Sequence, residues 1–450
     1  MPKGCPTPLV DLCFSSREIT ELLAFALDSY FDCEVRIHEG AAEAIEALQK
    51  RSPSLLVFDA TRDDTTLILE QARQLQFKVA IFHPKEVASP LEGINLVGVF
   101  SEPQLLPAIT STLKQQGVKV KNPALAESNP TFPYFRVGIP LLLRTNPLVA
   151  DIFVRLSELK YVKLFHKGAP FGKEEVKKYH GSKKIEHFYV RQSDANALAA
   201  KMNEALEALL RQVPLPQEVS TPVSIATIDT LHSLVNQVGF TPEVQEMVKK
   251  NVDLVLQEMY SSTSLGSLIR NLDLDREKYI ASHSHILAEV SCALSIALKW
   301  DSDITFKKLT MASLLHDMSL SNQKLARIKD MKELTDKRNE FTSGDVDDYR
   351  THSRRASVLI SGIKDVPADV DKIILQHHEL PTGTGFPESI SHFHIHPLAS
   401  LFIVAHDLVD WVLDRPGETP NIEKFIEEHF EKFKVGNFRK VLKALYSLQS

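Results

Sequence analysis

Apolar and polar positions alternate along residues 7 to 118 in a regular rhythm. Short apolar runs such as LVDLC, LLVFD and VAIF are separated by longer amphipathic stretches with helical spacing. Strands that alternate with helices in this way predict a doubly wound parallel sheet. We therefore expect an α/β domain over residues 1–118.

An acidic residue follows the third predicted strand of this domain. Over about 110 residues the strand and helix pattern resembles a response-regulator receiver domain, in which Asp59 stands at the phosphoacceptor position. Phosphotransfer to an aspartate needs Mg²⁺, which prefers carboxylate oxygens, but Ser15 and Ser16 follow the first strand. We expect a degenerate, receiver-like domain, and the alternative that Asp59 is only a polar strand end stays open.

The pattern changes twice further along the chain. Residues 119–133 are rich in Pro, Asn, Ser and Lys without periodicity, which indicates a linker. Residues 134–220 combine β-branched and aromatic runs with a closing helix, so we expect a small mixed α/β module. Residues 221–450 show helical periodicity almost throughout and predict an all-α domain. The predicted fold class is thus multidomain.

Composition excludes several classes of protein. Apolar residues make up 43% and charged residues 24%, which is typical of a folded globular chain. The 52 basic and 58 acidic residues give a net charge of −6, so no overall basic field favours a nucleic acid polymer or a membrane surface as partner. No apolar run reaches the length of a spanning helix, and four scattered cysteines favour a reducing compartment. We expect a cytoplasmic protein.

Histidines and aspartates recur in the apolar helices of the last domain. They are residue types that bind transition metals, and the candidates are His283, His316, Asp317, His352, His377, His378 and Asp407. His283 shares the inward face of its helix with Leu287 and Val290. Alone, it would more often be an ordinary core histidine, but the ordered set of five imidazoles and two carboxylates favours a site for two metals.

The helices at residues 279 to about 415 resemble the HD-GYP branch of the HD phosphohydrolase superfamily. The sequence HHELPTGTGFP corresponds to the HHExxDGxGYP motif of that family, and His316-Asp317 corresponds to its HD pair. The resemblance implies two divalent metal ions, iron or manganese. It places His283, His316, Asp317 and Asp407 around one metal and His352, His377 and His378 around the other, with Asp317 as the bridge. It implies cyclic di-GMP as the substrate.

Two carboxylates are the candidate catalytic residues. Asp317 would bridge the metals, which together can activate water and neutralise charge on phosphorus. Glu379 could orient a ligand imidazole, and the alternative is a helix-ending charge.

The substrate pocket departs from the family pattern. The Lys of HD-x-GK is Leu320, and the Tyr of GYP is Phe386. The candidate substrate contacts are Lys324 and Arg355 as phosphate donors, Gly383 and Gly385 as a loop that approaches a nucleotide, Phe386 as a stacking surface and Asp410 as the family's second Asp. For Lys324 and Arg355 a solvated role is the alternative.

Three functions remain open at this point. The first is a metal-dependent phosphodiesterase that opens a cyclic dinucleotide in bacterial second-messenger signalling. The second is a catalytically silent receptor or scaffold for cyclic di-GMP with a structural di-metal core, and the third is hydrolysis of another phosphoester. Other signalling proteins would bind through the receiver-like domain, and homodimer formation is left open.

Overall fold

The computed structural model describes residues 7–62, 65–82, 93–100, 102–121, 133–157, 160–177, 187–212, 215–261, 278–320, 322–415 and 420–446. Most of the predicted linker, 122–132, lies outside these residues. Two compact units divide the chain. The first comprises Met1–Phe135, Asp151–His166 and Phe188–Ser193, and the second comprises Arg136–Ala150, Lys167–His187 and Asp194–Ser450.

The first unit contains a five-stranded parallel sheet. Its strands and helices are β1 (Leu9–Cys13), α1 (Arg17–Tyr30), β2 (Glu34–Ile37), α2 (Ala41–Lys50), β3 (Leu55–Asp59), α3 (Thr65–Leu75), β4 (Val79–Phe82), β5 (Leu96–Phe100) and α4 (Glu102–Gln115). The strand order is β2-β1-β3-β4-β5, so the predicted doubly wound fold is confirmed. Leu55 and Val57 belong to one apolar cluster and Leu56 and Phe58 to another, because successive side chains of β3 point to opposite faces of the sheet.

Asp59 lies at the carboxyl end of β3 with its side chain buried. One carboxylate oxygen accepts hydrogen bonds from the Thr61 amide and hydroxyl at 2.9 and 2.7 Å, and the other lies 3.4 Å from the Ser15 amide. Beside this strand end, the Arg62 guanidinium donates to the carbonyl of Phe14. Ser16 caps helix α1 by accepting from the Ile19 amide. The Asp59 carboxylate and the Ser16 side chain therefore already have partners within the chain. In a receiver domain that accepts phosphate, the corresponding groups face the metal ion and the phosphate.

A second, antiparallel sheet follows. Its strands are β6 (Tyr134–Val137), β7 (Ile152–Ser157), β8 (Lys160–Phe165) and β9 (Phe188–Arg191), in the order β6-β9-β7-β8. The strand-rich middle region is therefore confirmed.

The second unit is mainly helical. Its helices are α5 (Ile139–Leu142), α6 (Lys173–Val176), α7 (Ala195–Leu210), α8 (Gln217–Val238), α9 (Pro242–Ser261), α10 (Tyr279–Ala297), α11 (Asp303–Leu315), α12 (Met331–Asp336), α13 (Ser343–Ile360), α14 (Val370–Gln376), α15 (Pro397–Leu413), α16 (Ile422–Phe433) and α17 (Gly436–Tyr446). This confirms the all-α character predicted for the C-terminal region.

Helix α10 is buried around most of its circumference. Its length and composition would also suit a membrane span, but its side chains are mostly covered by protein. A largely apolar helix that is enclosed in this way is typical of a core helix in a globular domain. Both faces of α10 are therefore available to line buried sites.

Candidate metal centre

Polar side chains from three helices, and from the residues that follow two other helices, converge in the second unit. His283 lies on α10 and His352 on α13, while His316 and Asp317 directly follow α11. The other members are His377 and His378 after α14, and His406 and Asp410 on α15. All except the half-buried His378 are at most 8% exposed. The cluster therefore lies within the helical core.

Three of the imidazoles are oriented by the same backbone contact. Nδ1 of His316 lies 2.8 Å from the Ser313 carbonyl, Nδ1 of His352 lies 2.5 Å from that of Tyr349, and Nδ1 of His377 lies 2.6 Å from that of Ile374. In each case the carbonyl belongs to the residue three positions earlier. A proton on Nδ1 satisfies this carbonyl and leaves an acceptor lone pair on Nε2, the tautomer that metal-binding histidines adopt.

Asp317 lies between these rings. One carboxylate oxygen is 3.3 Å from Nε2 of His352 and 3.9 Å from Nε2 of His377, while the other is 3.3 Å from Nε2 of His316. A carboxylate whose two oxygens face different histidines has the arrangement of a bridging ligand.

Two imidazole nitrogens in the cluster face each other without a shared proton. Nε2 of His352 and Nε2 of His377 are 3.1 Å apart, and both rings use Nδ1 as the donor. Two lone pairs at that distance repel each other. A cation between them would turn this repulsion into attraction, so the donor set fits a metal ion.

Another set of donors forms beside the first. Nε2 of His283 is 3.0 Å from one oxygen of Asp410, which also accepts the Tyr279 hydroxyl at 3.2 Å. Nδ1 of His406 is 3.2 Å from the second oxygen of Asp410. Nδ1 of His283 is buried without a hydrogen-bond partner. The unpartnered Nδ1 of His283 is therefore an imidazole nitrogen of this set that can bind a metal ion.

The side chains thus divide into groups of metal-binding size. Ligand atoms within 4.8 Å of one another are offered by His283, His316 and His406, by His352, His377 and His378, and by His316, Asp317 and His377. The two histidine triads, joined through Asp317, fit a pair of divalent cations.

Burial keeps three of the candidate histidines in the protonation state that binds metal, whereas Asp410 raises the pKa of His406. Burial lowers the pKa of His283 to about 3 and that of His377 and His378 well below the ordinary value, so these rings are neutral near pH 7. Burial alone would raise the pKa of Asp317, but the neighbouring His316 and His352 hold it well below its usual range. The carboxylate is therefore ionised.

Comparison with known proteins supports this assignment for the helical region. A family model described as HD domain matches residues 267–429. The C-terminal helical region is therefore similar to HD domains, a superfamily of metal-dependent phosphohydrolases, as the His316-Asp317 pair led us to expect. The receiver resemblance of the N-terminal region remains a prediction.

Solved structures include one with a similar arrangement, Bd1817, an HDG"Y"P protein from Bdellovibrio bacteriovorus. It is 17% identical to this chain, with a TM-score of 0.48, and the alignment covers 70% of this chain and 99% of that one. None of the curated proteins compared with the sequence gives a significant match.

Within the helical region, Asp407 does not join the cluster in the described contacts. Its carboxylate pairs instead with Lys432 on α16. His406 and Asp410 are four residues apart and share one face of α15, whereas Asp407 is turned about 100° away from His406. The structure therefore places His406 and Asp410, rather than Asp407, beside the other candidate ligands. Asp410, expected as a substrate contact, pairs with the imidazoles of His283 and His406.

Sequence reasoning missed His406 entirely. The resemblance to the HD-GYP pattern favoured the neighbouring Asp407. The available signal was the spacing of His406 and Asp410, which matches one helical turn and is continuous with the buried positions Phe402 and Leu413.

Glu379 holds a loop. Its carboxylate accepts the amides of Glu388, Ser389 and Ile390 at 2.7, 3.1 and 3.0 Å. Burial raises its pKa, while these amides lower it. In the described contacts, Glu379 therefore anchors the segment that follows the GTGFP sequence, and its catalytic role stays a prediction.

The two loop glycines meet steric and conformational demands. A Cβ at Gly385 would lie 2.3 Å from the Leu380 nitrogen and 2.5 Å from the His378 oxygen, so the loop packs directly on the HHE backbone. Gly383 has φ +78°, a region that L side chains rarely adopt. Their expected contact with a nucleotide stays a prediction.

Phe386 covers one side of the cluster. Its ring stacks on His378 with centroids 4.6 Å apart and an interplanar angle of 16°, and it also contacts Tyr349. The expected stacking surface is thus present beside a candidate ligand.

The two candidate phosphate donors differ in their surroundings. Lys324 is exposed at the start of a short 3₁₀ turn. The Arg355 guanidinium is mostly buried, pairs with Asp348, and donates to the Ser319 carbonyl at 2.9 Å. Leu320, at the position of the family Lys, is fully buried. Neither cation is brought to the cluster by a described contact.

Proposed function

We propose that this protein is a metal-dependent phosphodiesterase that hydrolyses a cyclic dinucleotide, with cyclic di-GMP as the first candidate. The observation that supports it is the pair of histidine triads on the two sides of Asp317. Two divalent ions held there would supply Lewis-acid charge and an activated water for attack on phosphorus.

Residues of the chain have distinct roles in this proposal. His316, His352 and His377 present Nε2 acceptors that their backbone contacts hold in place. Asp317 would join the two sites, and Asp410 would orient His283 and His406 through one oxygen each. Phe386, beside His378, offers an aromatic face on which a base can stack.

The test is turnover by anaerobically prepared protein loaded with iron or manganese. Incubation with cyclic di-GMP followed by chromatography should yield a linear dinucleotide or monophosphate. His316→Ala and Asp317→Ala should abolish both bound metal and product, while Asp407→Asn serves as a matched control on the same domain. Product formed by Asp317→Ala at the wild-type rate would reject the proposal.

A second candidate function is a silent cyclic di-GMP receptor with a structural di-metal core. It is favoured by the buried Leu320 and by the engagement of Arg355 with Asp348, which leave the described cluster without a cation for substrate phosphate. This candidate predicts that calorimetry detects binding of cyclic di-GMP without turnover and that Phe386→Ala weakens it. Absence of any nucleotide binding would exclude it.

We further propose that the N-terminal α/β region is a regulatory module of a cytoplasmic signalling protein that no longer accepts phosphate. Support comes from the contacts of Asp59 with Thr61 and Ser15. Incubation with acetyl phosphate and Mg²⁺ should leave Asp59 unmodified by mass spectrometry, and a phosphoaspartate there would contradict this role.

A further inference from the structure

A second buried group of histidine and glutamate side chains lies on the other side of α10. His285 and Glu289 are one helical turn apart, and His285 is about 200° around the helix from His283. Glu258 faces them from α9. The side chains of His285, Glu258 and Glu289 are exposed by only 2%, 2% and 5%.

Three polar atoms of this group converge without hydrogen bonds. Nε2 of His285 lies 3.9 Å from Oε2 of Glu258 and 3.7 Å from Oε1 of Glu289, and each of these atoms lacks a partner. Such separations exceed a hydrogen bond but suit ligands that surround one ion at about 2.0–2.2 Å each. All three ligand atoms lie within 4.8 Å of one another.

Helix α8 fixes the remaining atoms of the group. Ser224 Oγ lies 3.0 Å from Nδ1 of His285, so a proton on Nδ1 would leave Nε2 as an acceptor toward the carboxylates. The Thr221 hydroxyl donates to Oε1 of Glu258, which leaves Oε2 directed at the histidine. The hydroxyls thus act as supporting groups outside a ligand shell.

The charges of the group also call for a cation. Two carboxylates buried together are costly unless paired or protonated. A divalent ion would balance two ionised carboxylates and satisfy all three unpartnered atoms at once.

We propose that Glu258, His285 and Glu289 form a structural site for one divalent transition metal ion, separate from the His/Asp cluster. One nitrogen and two carboxylate oxygens suit a borderline cation, and Zn²⁺ is the first candidate. Because the ligands come from α9 and α10 and are braced by α8, the ion would tie three helices together.

The metal content of variants tests this site independently of catalysis. The full-length double variant His316→Ala/His377→Ala has an impaired first cluster. After this variant is loaded with Zn²⁺ and desalted, elemental mass spectrometry should find about one Zn²⁺ per chain. Adding Glu289→Gln should remove that equivalent. Ser291→Ala changes a buried, unpartnered hydroxyl on the same helix and should retain it.

Cobalt provides a second readout that does not depend on stoichiometry alone. Co²⁺ titrated into the His316→Ala/His377→Ala protein should give visible d–d absorption that Glu258→Gln or Glu289→Gln abolishes, while circular dichroism confirms that the variants are folded. Equal zinc content and equal cobalt spectra with and without Glu289→Gln would overturn the proposal. Finding no bound metal in the His316→Ala/His377→Ala protein would also overturn the proposal, because Glu258, His285 and Glu289 would then share only protons.

Discussion

Neighbouring residues on α15 have opposite environments. Asp410 contacts His283, His406 and Tyr279 in the core, whereas Asp407 pairs with Lys432. Asp410→Asn should therefore lower metal content and any phosphodiesterase activity at least tenfold, by analogy with the effect of changing groups that orient metal ligands.

Asp407→Asn is the matched control for that change. It removes a partly exposed ion pair, so the unfolding free energy should fall by no more than about 1 kcal/mol and the metal content should stay the same. Loss of metal in Asp407→Asn, with the metal content of Asp410→Asn unchanged, would instead support Asp407 as the ligand that the family resemblance implied.

Motifs identified most of the candidate ligands and one of their groups, since the resemblance placed His352, His377 and His378 around one metal and the structure brings these three together. These residues, with His316 and Asp317, could be selected because metal-binding residues inside apolar helices are uncommon. His406 and Asp410 were not selected as ligands, because the continuous apolar sequence of α15 indicates its rotation about its axis only through the spacing of these two residues.

Asp11 in the first unit makes a buried ion pair that should appear in the pH dependence of stability. Its carboxylate accepts Arg36 Nε and Nη2 at 2.7 Å each and lies 3.0 Å from His38. Burial alone would raise its pKa, but His38 and Arg36 hold it below the ordinary 3.8. The pairing thus stabilises the fold above the unfolded pKa, and this contribution is lost as pH falls through the lower, folded pKa.

Asp11→Asn should lower the free energy of unfolding by about 3 kcal/mol near neutral pH. The difference from wild type should narrow as the pH falls below 3.8, which urea titrations at several pH values can measure. Glu46→Gln, which breaks an exposed pair with Lys50, should change the pH profile far less than Asp11→Asn does, because exposed ion pairs are screened by solvent. A constant difference between wild type and Asp11→Asn at every pH would contradict this account.

At the scale of elements, the loop after α14 is fixed by contacts with backbone atoms. Gly385→Ala places a Cβ against the Leu380 nitrogen and the His378 oxygen, so the loop and the adjacent ligand must move. We expect a loss of about 1–3 kcal/mol in unfolding free energy and weaker metal binding, measured by denaturant titration and metal analysis.

Gly362→Ala is the control for this change, since its Cβ would meet only the Leu359 carbonyl at 3.6 Å. It should leave metal content unchanged. Normal metal binding and stability in Gly385→Ala would show that the loop does not constrain His378.

Sequence patterns predicted the strands and helices well but did not predict which atoms the loop side chains bind. The parallel strands follow from short, β-branched apolar runs, and the order of the five strands matches a doubly wound sheet. The role of Glu379 did not follow from its place in the HHE motif, because its partners are backbone amides nine to eleven residues later.

At the scale of the whole molecule, bound metal should stabilise only the unit that binds it. The candidate ligands all lie in the second unit, and binding to the folded state at 100 times the dissociation constant adds about 2.7 kcal/mol. Calorimetry with Mn²⁺ and after chelation should show a higher unfolding temperature for the helical unit in the presence of metal. Identical thermograms would contradict a metal centre in this unit.

The middle of the chain shows what a linear pattern does not determine at this scale. Within residues 134–220, the strands β7, β8 and β9 belong to the first compact unit and the helices α5, α6 and α7 to the second, and the predicted bounds of the module stay a prediction. Local periodicity identifies each element, but long-range packing decides which unit it joins.

The most direct test of the central claim is anomalous X-ray diffraction from crystals of the manganese-loaded protein. The account predicts two peaks in the helical region: one among His283, His316 and His406, the other among His352, His377 and His378, with Asp317 between them. Absence of both peaks from this cluster, or a manganese ion bound to Asp407 away from it, would contradict the account.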